Sequence, residues 1–374
     1  MLSVAIDSGP LHGPRTGIGN AVGWMIEALE STSVPSDGEI EQAIELVPYV
    51  TSLRAKTAVG ERRLPIPAAV AHRLWARTSR WKMDRWLGLP DIVHGTNYVV
   101  PPTSARQVVS VYDCWFLDHR DDAHPDVARS GAVLRRAVEG GATVVTSSTA
   151  TSDRVRELLG VEPVMIHLGP PVRREPSAPA ERSPAVEDVL EREPFVLSIG
   201  TAERRKNLPV LVDAFGRLGS EHETVRLVLA GRDGDDAPAV ARALARLDPV
   251  VRSRVHRMTT VDEPTKQWLL HHATALAYPS LDEGFGFPIL EAQLAGTPVV
   301  GSSAGSIPEI GGSAVLLSLP ADVDALAANL FWVVTSEAQR ERLIRLGRRN
   351  VERFSWESTA TRLRSLYHRL ADEH

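Results

Sequence analysis

Glu283 and Glu291 stand either side of seven intervening residues in the stretch YPSLDEGFGFPILEAQLAGTPVV, which carries the strongest chemical signal in the chain. The spacing predicts a strand ending at Tyr278, a loop of Glu283, Gly284, Phe285, Gly286 and Phe287, then a helix with Pro288 in its first turn. Glu291 falls about one turn inside that helix, which stops near Gly296. Glycines leave loop N–H groups free to meet hydroxyls or phosphate, and the helix N-terminus adds a favourable dipole. Ionised carboxylates only accept hydrogen bonds, so two of them beside such a loop suit the paired hydroxyls of a sugar. Taken singly, Glu291 reads equally as a solvated helix residue and Glu283 as a loop charge.

A second group lies upstream in FVLSIGTAERRKNLPVLVDAF, where Arg204, Arg205 and Lys206 sit between a strand and a helix beginning near Asn207. Cations at the carboxyl end of a strand can neutralise a diphosphate that becomes a leaving group. A solvated basic cluster is the competing reading. Only four of the 42 basic residues are lysine, and Lys206 stands where a compact point charge on phosphate is wanted. A third group, GPRTGIGNAV, places Gly17 and Gly19 just before a helix. It serves as a phosphate cradle or as an ordinary turn, and it lacks the third glycine of the dinucleotide fingerprint. His94, in DIVHGTNY, sits at a strand end and lines an acceptor side, or is a satisfied structural histidine.

These groups need scaffolding, and 374 residues imply two domains. Short apolar runs alternate with amphipathic stretches throughout, the pattern of parallel sheets covered by helices. Strands are predicted at Leu2–Ile6, Val108–Val111, Thr143–Thr146 and Val164–Leu168, with a helix over Val22–Leu29. After a proline-rich, charged stretch from Pro171 to Pro194 the alternation restarts, with strands at Phe195–Ile199, Arg226–Ala230, Leu276–Tyr278, Val299–Val300 and Val315–Leu317, and a last helix from Trp356 to Leu370. The expected division is an N-terminal Rossmann-like acceptor domain over 1–175, a linker over 176–193, a C-terminal Rossmann-like donor domain over 194–355 and a crossover helix over 356–374. Sheets facing across a cleft would put ligands beyond the carboxyl ends of their strands.

Composition narrows the partners. The hydrophobic fraction of 43% and charged fraction of 24% are those of a globular protein. A net charge of −5 gives no overall basic field, so no nucleic-acid partner is expected. Cys114 is alone, which rules out an internal disulfide and favours a small buried hydrophobe. No apolar run reaches the roughly 20 residues of a membrane span, and MLSVAIDSGP lacks the layout of a signal peptide, so a cytoplasmic location is expected.

Taken together these motifs resemble the retaining glycosyltransferases of family 4 with the GT-B fold. The run from Glu283 to Glu291 matches their E-x7-E motif, and SIGTAERRKN is similar to their phosphate-binding R-K-N loop. TGIG, DIVHGTNYVVPP, VVSVYDCWFL, LVLAGR and GTPVVGSSAGSIPEI extend the likeness over nearly the whole chain. The resemblance implies a metal-independent hexosyltransferase using a UDP- or GDP-sugar and needing no cofactor, with a glycan, lipid-linked or small-molecule acceptor, in polysaccharide or glycolipid biosynthesis. Gly17 and Gly19 would touch donor phosphates, Arg205 and Lys206 would hold the diphosphate, and Glu291 would bind the ribose. Glu283 and the backbone of Gly284, Phe285, Gly286 and Phe287 would grip the transferred sugar, while Thr260 falls in the base-contacting loop. Two departures stand out. Tyr112 and Asp113 replace the usual His-Asp pair, which puts sugar choice or rate in doubt, and Thr201 stands where relatives carry arginine. A donor-binding pseudoenzyme and a GT-B epimerase or phosphorylase share the architecture and remain as alternatives.

One further segment is unlike the rest. Arg54, Lys56, Arg62, Arg63, Arg73, Arg77, Arg80, Lys82 and Arg85 are nine cations against the two acids Glu61 and Asp84. If Pro67–Leu87 is one helix, Arg73, Arg77 and Arg80 share a face, while Leu74, Trp75, Trp81 and Trp86 form an apolar one. That design fits peripheral contact with an inner membrane face through residues 54–87, or a helix covering the first sheet with its tryptophans buried.

Overall fold

The computed structural model describes residues 1–13, 17–31, 43–119, 125–172, 186 and 189–373. The chain forms two compact units, Met1–Gly169 with Phe354–His374, and Pro170–Arg353. The first holds seven strands: β1 (Leu2–Asp7), β2 (Ile44–Thr51), β3 (Arg62–Leu64), β4 (Ile92–Gly95), β5 (Arg106–Val111), β6 (Thr143–Thr146) and β7 (Val164–Met165). They lie parallel in the order β3-β2-β1-β4-β5-β6-β7. The second holds β8 (Phe195–Ile199), β9 (Arg226–Ala230), β10 (Val255–Met258), β11 (Ala275–Tyr278), β12 (Val299–Ser302) and β13 (Val315–Ser318), parallel in the order β10-β9-β8-β11-β12-β13. Both are Rossmann-like. Each sheet reverses its strand progression once, between β1 and β4 and between β8 and β11, and such switch points open a crevice at the strands' carboxyl ends.

The apolar runs form strands because both faces are covered. Ala5, Tyr49, Val93 and Val109 pack into one core of the first unit, and Val4, Ile6, Ile92 and Val108 into the other. Helices Gly17–Ser31 and Trp356–Asp372 cover the second of these faces, burying Met25, Leu29, Leu363 and Tyr367. The C-terminal helix therefore packs on the first unit. In the second unit Val196, Leu227 and Ala275 face one core and Phe195, Leu197, Val228 and Leu276 the other.

Strands β2, β3 and β10 are additions to the sequence expectation, and β7 is shorter than predicted. Pro48 disguises β2, since proline cannot donate to a ladder. It is tolerated because β3 pairs with β2 only from Tyr49 onward, so the sheet is locally an edge at Pro48. Val186 and Leu190, in the stretch expected as linker, are buried in the second unit's core; residues 173–185 and 187–188 lie outside the described residues.

The expected helix over Pro67–Leu87 is corrected to two, Ala68–Trp75 and Asp84–Leu87. Thr78 Oγ1 accepts from the N–H of Arg80 at 3.1 Å, a local bond that competes with helical hydrogen bonding. Trp75 is buried, whereas Trp81 and Trp86 are exposed. Among the described residues no helix is long and apolar enough to cross a membrane.

Candidate functional site

The loops that follow β8 and β11 meet at the second sheet's switch point. Arg204–Lys206 forms a single 3-10 turn after β8, ended by Asn207 in the left-handed conformation at φ 54°. Asn207 donates its side-chain amide to the carbonyls of Pro279 at 3.1 Å and Pro320 at 2.7 Å, which fixes the turn against the loop after β11. The two loops are also joined where Leu281 N–H donates to the Arg205 carbonyl at 2.8 Å and an Arg205 guanidinium N–H donates to the Asp282 carbonyl at 3.1 Å.

This stitching brings Glu283 between two cations. Lys206 Nζ lies 2.6 Å from its Oε1, and an Arg205 guanidinium nitrogen 2.6 Å from its Oε2. Lys206 also donates to the Tyr278 hydroxyl at 3.0 Å and sits 4.7 Å from the centre of that ring. The Glu283 side chain is only 6% exposed. Burial alone would raise its pKa, but the adjacent Lys206 and Arg205 charges outweigh it and hold the carboxyl at about 2. Lys206 is pulled below its ordinary value by burial and by Arg205, against the attraction of Glu283. Tyr278 is pushed up, by burial first and then by the Glu283 charge, and so stays a neutral phenol.

The glycine loop is pinned from behind. Gly305, at φ 54°, approaches so closely that a Cβ would meet Glu283 N at 2.5 Å. Next to it, Ser306 donates its N–H to the Glu283 carbonyl at 2.9 Å and its hydroxyl to the Phe285 carbonyl at 2.9 Å. Gly284, Phe285 and Gly286 are buried, with Phe285 edge-on to Phe287 at 5.1 Å. Gly286, at φ 95°, then starts helix Phe287–Ala295, which ends at a left-handed Gly296 as the sequence predicts. In that helix Glu291 Oε1 receives Lys266 Nζ at 2.8 Å, and Lys266 reaches Glu263 at 3.0 Å. Burial works against the Lys266 charge, but the Glu291 and Glu263 carboxylates raise its pKa overall.

Arg205, Lys206, Glu283 and the loop from Gly284 to Phe287 are thus one constellation, with Glu291 one turn into the next helix. Thr260 is exposed just beyond the end of β10. Lys266, Tyr278, Gly305 and Ser306 were not singled out as site residues. The scarcity of lysine that draws attention to Lys206 applies equally to Lys266, and the two lysines pair with the two motif glutamates.

The first unit presents its expected residues differently. Gly17 and Gly19 open the helix that follows β1, Gly17 exposed and Gly19 buried. His94 is fully buried at the first switch point, with Nδ1 at 2.6 Å from the Tyr367 hydroxyl and Nε2 at 2.9 Å from that of Ser110. Burial depresses its pKa to about 3, so it is a neutral histidine with both nitrogens engaged. Tyr112 follows β5 and is buried. Its ring lies edge-on to Tyr98 at 6.1 Å, and its hydroxyl is enclosed beside Ser110. The ring lines a cavity of about 10 Å³ with Ser110, Thr146, Ser147 and Thr359, space for about one water. Asp113 Oδ1 accepts from the N–H of Trp115 at 3.3 Å, at the start of a short helix.

Residues 180–350 match the family model described as Glycosyl transferases group 1. The chain is 27% identical over 380 residues to O-antigen chain mannosyltransferase B of Escherichia coli, covering 96% of this chain and 97% of that protein. Among solved structures it is similar to sucrose-phosphate synthase from Thermosynechococcus elongatus, with TM-score 0.69, 18% identity and 99% of both chains covered. It is also similar to WaaG, a glycosyltransferase involved in lipopolysaccharide biosynthesis, with TM-score 0.67, 17% identity and 97% and 99% of the two chains covered. These structural likenesses show a GT-B fold.

Proposed function

We propose that this chain, which carries a Glycosyl transferases group 1 domain, moves a hexose from a nucleotide-diphosphate sugar to a hydroxyl acceptor with retention and without a metal ion. The observation that carries the reading is the Arg205–Glu283–Lys206 cluster, with Glu283 buried between two half-buried cations, at a sheet's switch point. Two fixed cations beside a sugar-binding carboxylate match a substrate whose reacting carbon joins a sugar to a diphosphate. As the bond from C1 to the diphosphate oxygen breaks, its electron pair stays on the phosphate, where Arg205 and Lys206 stabilise the growing charge. The acceptor oxygen bonds C1 on the same face and passes its proton to the departing phosphate. Glu283 accepts hydrogen bonds from the sugar hydroxyls, and Glu291, oriented by Lys266, takes those of the ribose. Arg205 and Lys206 supply the positive charge that a divalent ion provides elsewhere.

The mannosyltransferase relative makes mannose the first sugar to test. Incubation of the purified chain with GDP-mannose, UDP-glucose and UDP-galactose in EDTA should release one nucleoside diphosphate well above the uncatalysed rate, and with an accepted glycan or alcohol added should give an α-linked product. Strict dependence on added magnesium or manganese would sink the metal-free reading, and inversion at C1 the retaining one. Tight donor binding without turnover would identify a pseudoenzyme instead.

A further inference from the structure

The basic segment of the first unit has a surface that the transferase chemistry does not use. Its inward side chains are Ala71, Trp75, Met83 and Leu87, all buried in one core. The nine cations from Arg54 to Arg85 are all exposed, and none is ion-paired with an acid among the described residues. The two acids are turned inward to local bonds. Glu61 takes Ser8, His12 and the N–H of Ala58, and Asp84 takes Thr103 and the N–H of Ser104. The segment therefore shows solvent a field of one sign, on a chain whose net charge is −5.

Large apolar side chains stand among these cations. Trp81 is 64% exposed, Trp86 46% and Leu89 74%. Leu89 is held at φ 56°, a left-handed conformation that costs a non-glycine residue energy and here leaves its side chain without packing. At the β3 edge of the sheet, residues 55, 62, 63 and 88 lie together. The Arg62 guanidinium covers Gly88, where an added Cβ would meet its Cζ at 2.5 Å, and Arg63 donates to the carbonyl of Ala55. A polyanion such as RNA would use the cations but gives an exposed leucine nothing to bury. An anionic bilayer uses both, phosphate headgroups meeting the arginines while indole rings and Leu89 enter the boundary below them.

We propose that residues 53–89 dock this chain on an anionic phospholipid bilayer, with Trp81, Trp86 and Leu89 inserted at the headgroup boundary. Each lysine or arginine near such a surface strengthens binding about fivefold. The test is co-sedimentation of the full chain with vesicles of phosphatidylglycerol and phosphatidylcholine at low salt, beside vesicles of phosphatidylcholine alone. Wild type should pellet with the anionic vesicles only and be released by salt. R73E/R77E/R80E should lower partitioning by about 100-fold or more, and W81A/W86A by about tenfold with a shift of indole fluorescence to the blue lost from the lipid-bound form. Both variants should hydrolyse soluble donor at the wild-type rate, which shows that they fold. Absence of wild-type binding at low salt would overturn the proposal. So would anionic binding that survives both sets of substitutions, or binding to heparin or RNA without binding to vesicles.

Discussion

The two sheets of this chain share a strand order and a switch point, yet they fill that point with opposite chemistry. Between β8 and β11 stand three charged side chains, Arg205, Lys206 and Glu283, locked together by 2.6 Å contacts. Between β1 and β4 stands a neutral histidine bonded to Tyr367 and Ser110, with a phenol, Tyr112, closed over a water-sized cavity nearby. Asp7, at the end of β1, is raised to about 7, chiefly by burial. A shared topology positions a crevice but does not choose its occupant; the side chains at the strand ends do. Ionised groups kept in a poorly solvated place are costly unless paired, and here the pairing leaves cations that a diphosphate could engage.

The contrast predicts unequal sensitivity to substitution. Lys206→Ala should lower kcat/KM by about 10² to 10³, roughly 3 to 4 kcal/mol of lost transition-state stabilisation, with Arg205 still satisfying Glu283. Donor-hydrolysis kinetics at saturating and limiting donor would read this, and a loss under tenfold would move the diphosphate site elsewhere.

Acid and neutral stability should separate the two carboxylates. Glu283 is depressed in the folded chain, so its contribution is present above its unfolded value near 4.5 and is lost as pH falls through about 2. Asp7 has the opposite sign: its contribution is complete below 3.8 and is lost as pH rises through about 7. Urea unfolding at pH 4 and pH 7 should show Asp7→Asn flattening the decline towards neutral pH, whereas Glu283→Gln should destabilise at both pH values and by less at pH 4, where part of the wild-type contribution is already lost. Identical pH profiles for wild type and Asp7→Asn would show that the first switch point is not electrostatically strained.

Tyr112→Phe should have the smallest effect, within about 1 kcal/mol in stability, because Ser110, beside its hydroxyl, keeps its bond to His94 when the phenol is removed. A loss of turnover of about tenfold or more in this variant would put the phenol back in the reaction.

How much of this was legible in the sequence depends on how local each feature is. Glu283, Gly286 and Glu291 are set by a few consecutive residues, as are the turn carrying Lys206 and the glycine that ends helix Phe287–Ala295. The Lys266–Glu291 pair joins residues on separate helices, and only the fold brings them together. Position at a strand end was readable for His94 and Tyr112, but the direction of each side chain was not. Tyr367, from the far end of the chain, closes the histidine into the core. Between Trp75 and Asp84 the apolar periodicity runs on in the sequence while the helix does not, and the Thr78 hydroxyl that bonds the Arg80 N–H there is a weaker signal than that periodicity.

The claim that the Arg205–Glu283–Lys206 cluster is the donor site meets its most direct test in Glu283→Gln, which removes one charge while keeping shape. Turnover of the accepted nucleotide sugar and affinity for its nucleoside diphosphate should be measured on the same preparation. Turnover should fall by about 10² or more. Nucleoside diphosphate binding should be retained or tightened, since Arg205 and Lys206 lose a competing anion. Wild-type turnover, or loss of diphosphate binding in a variant that remains folded, would contradict the account.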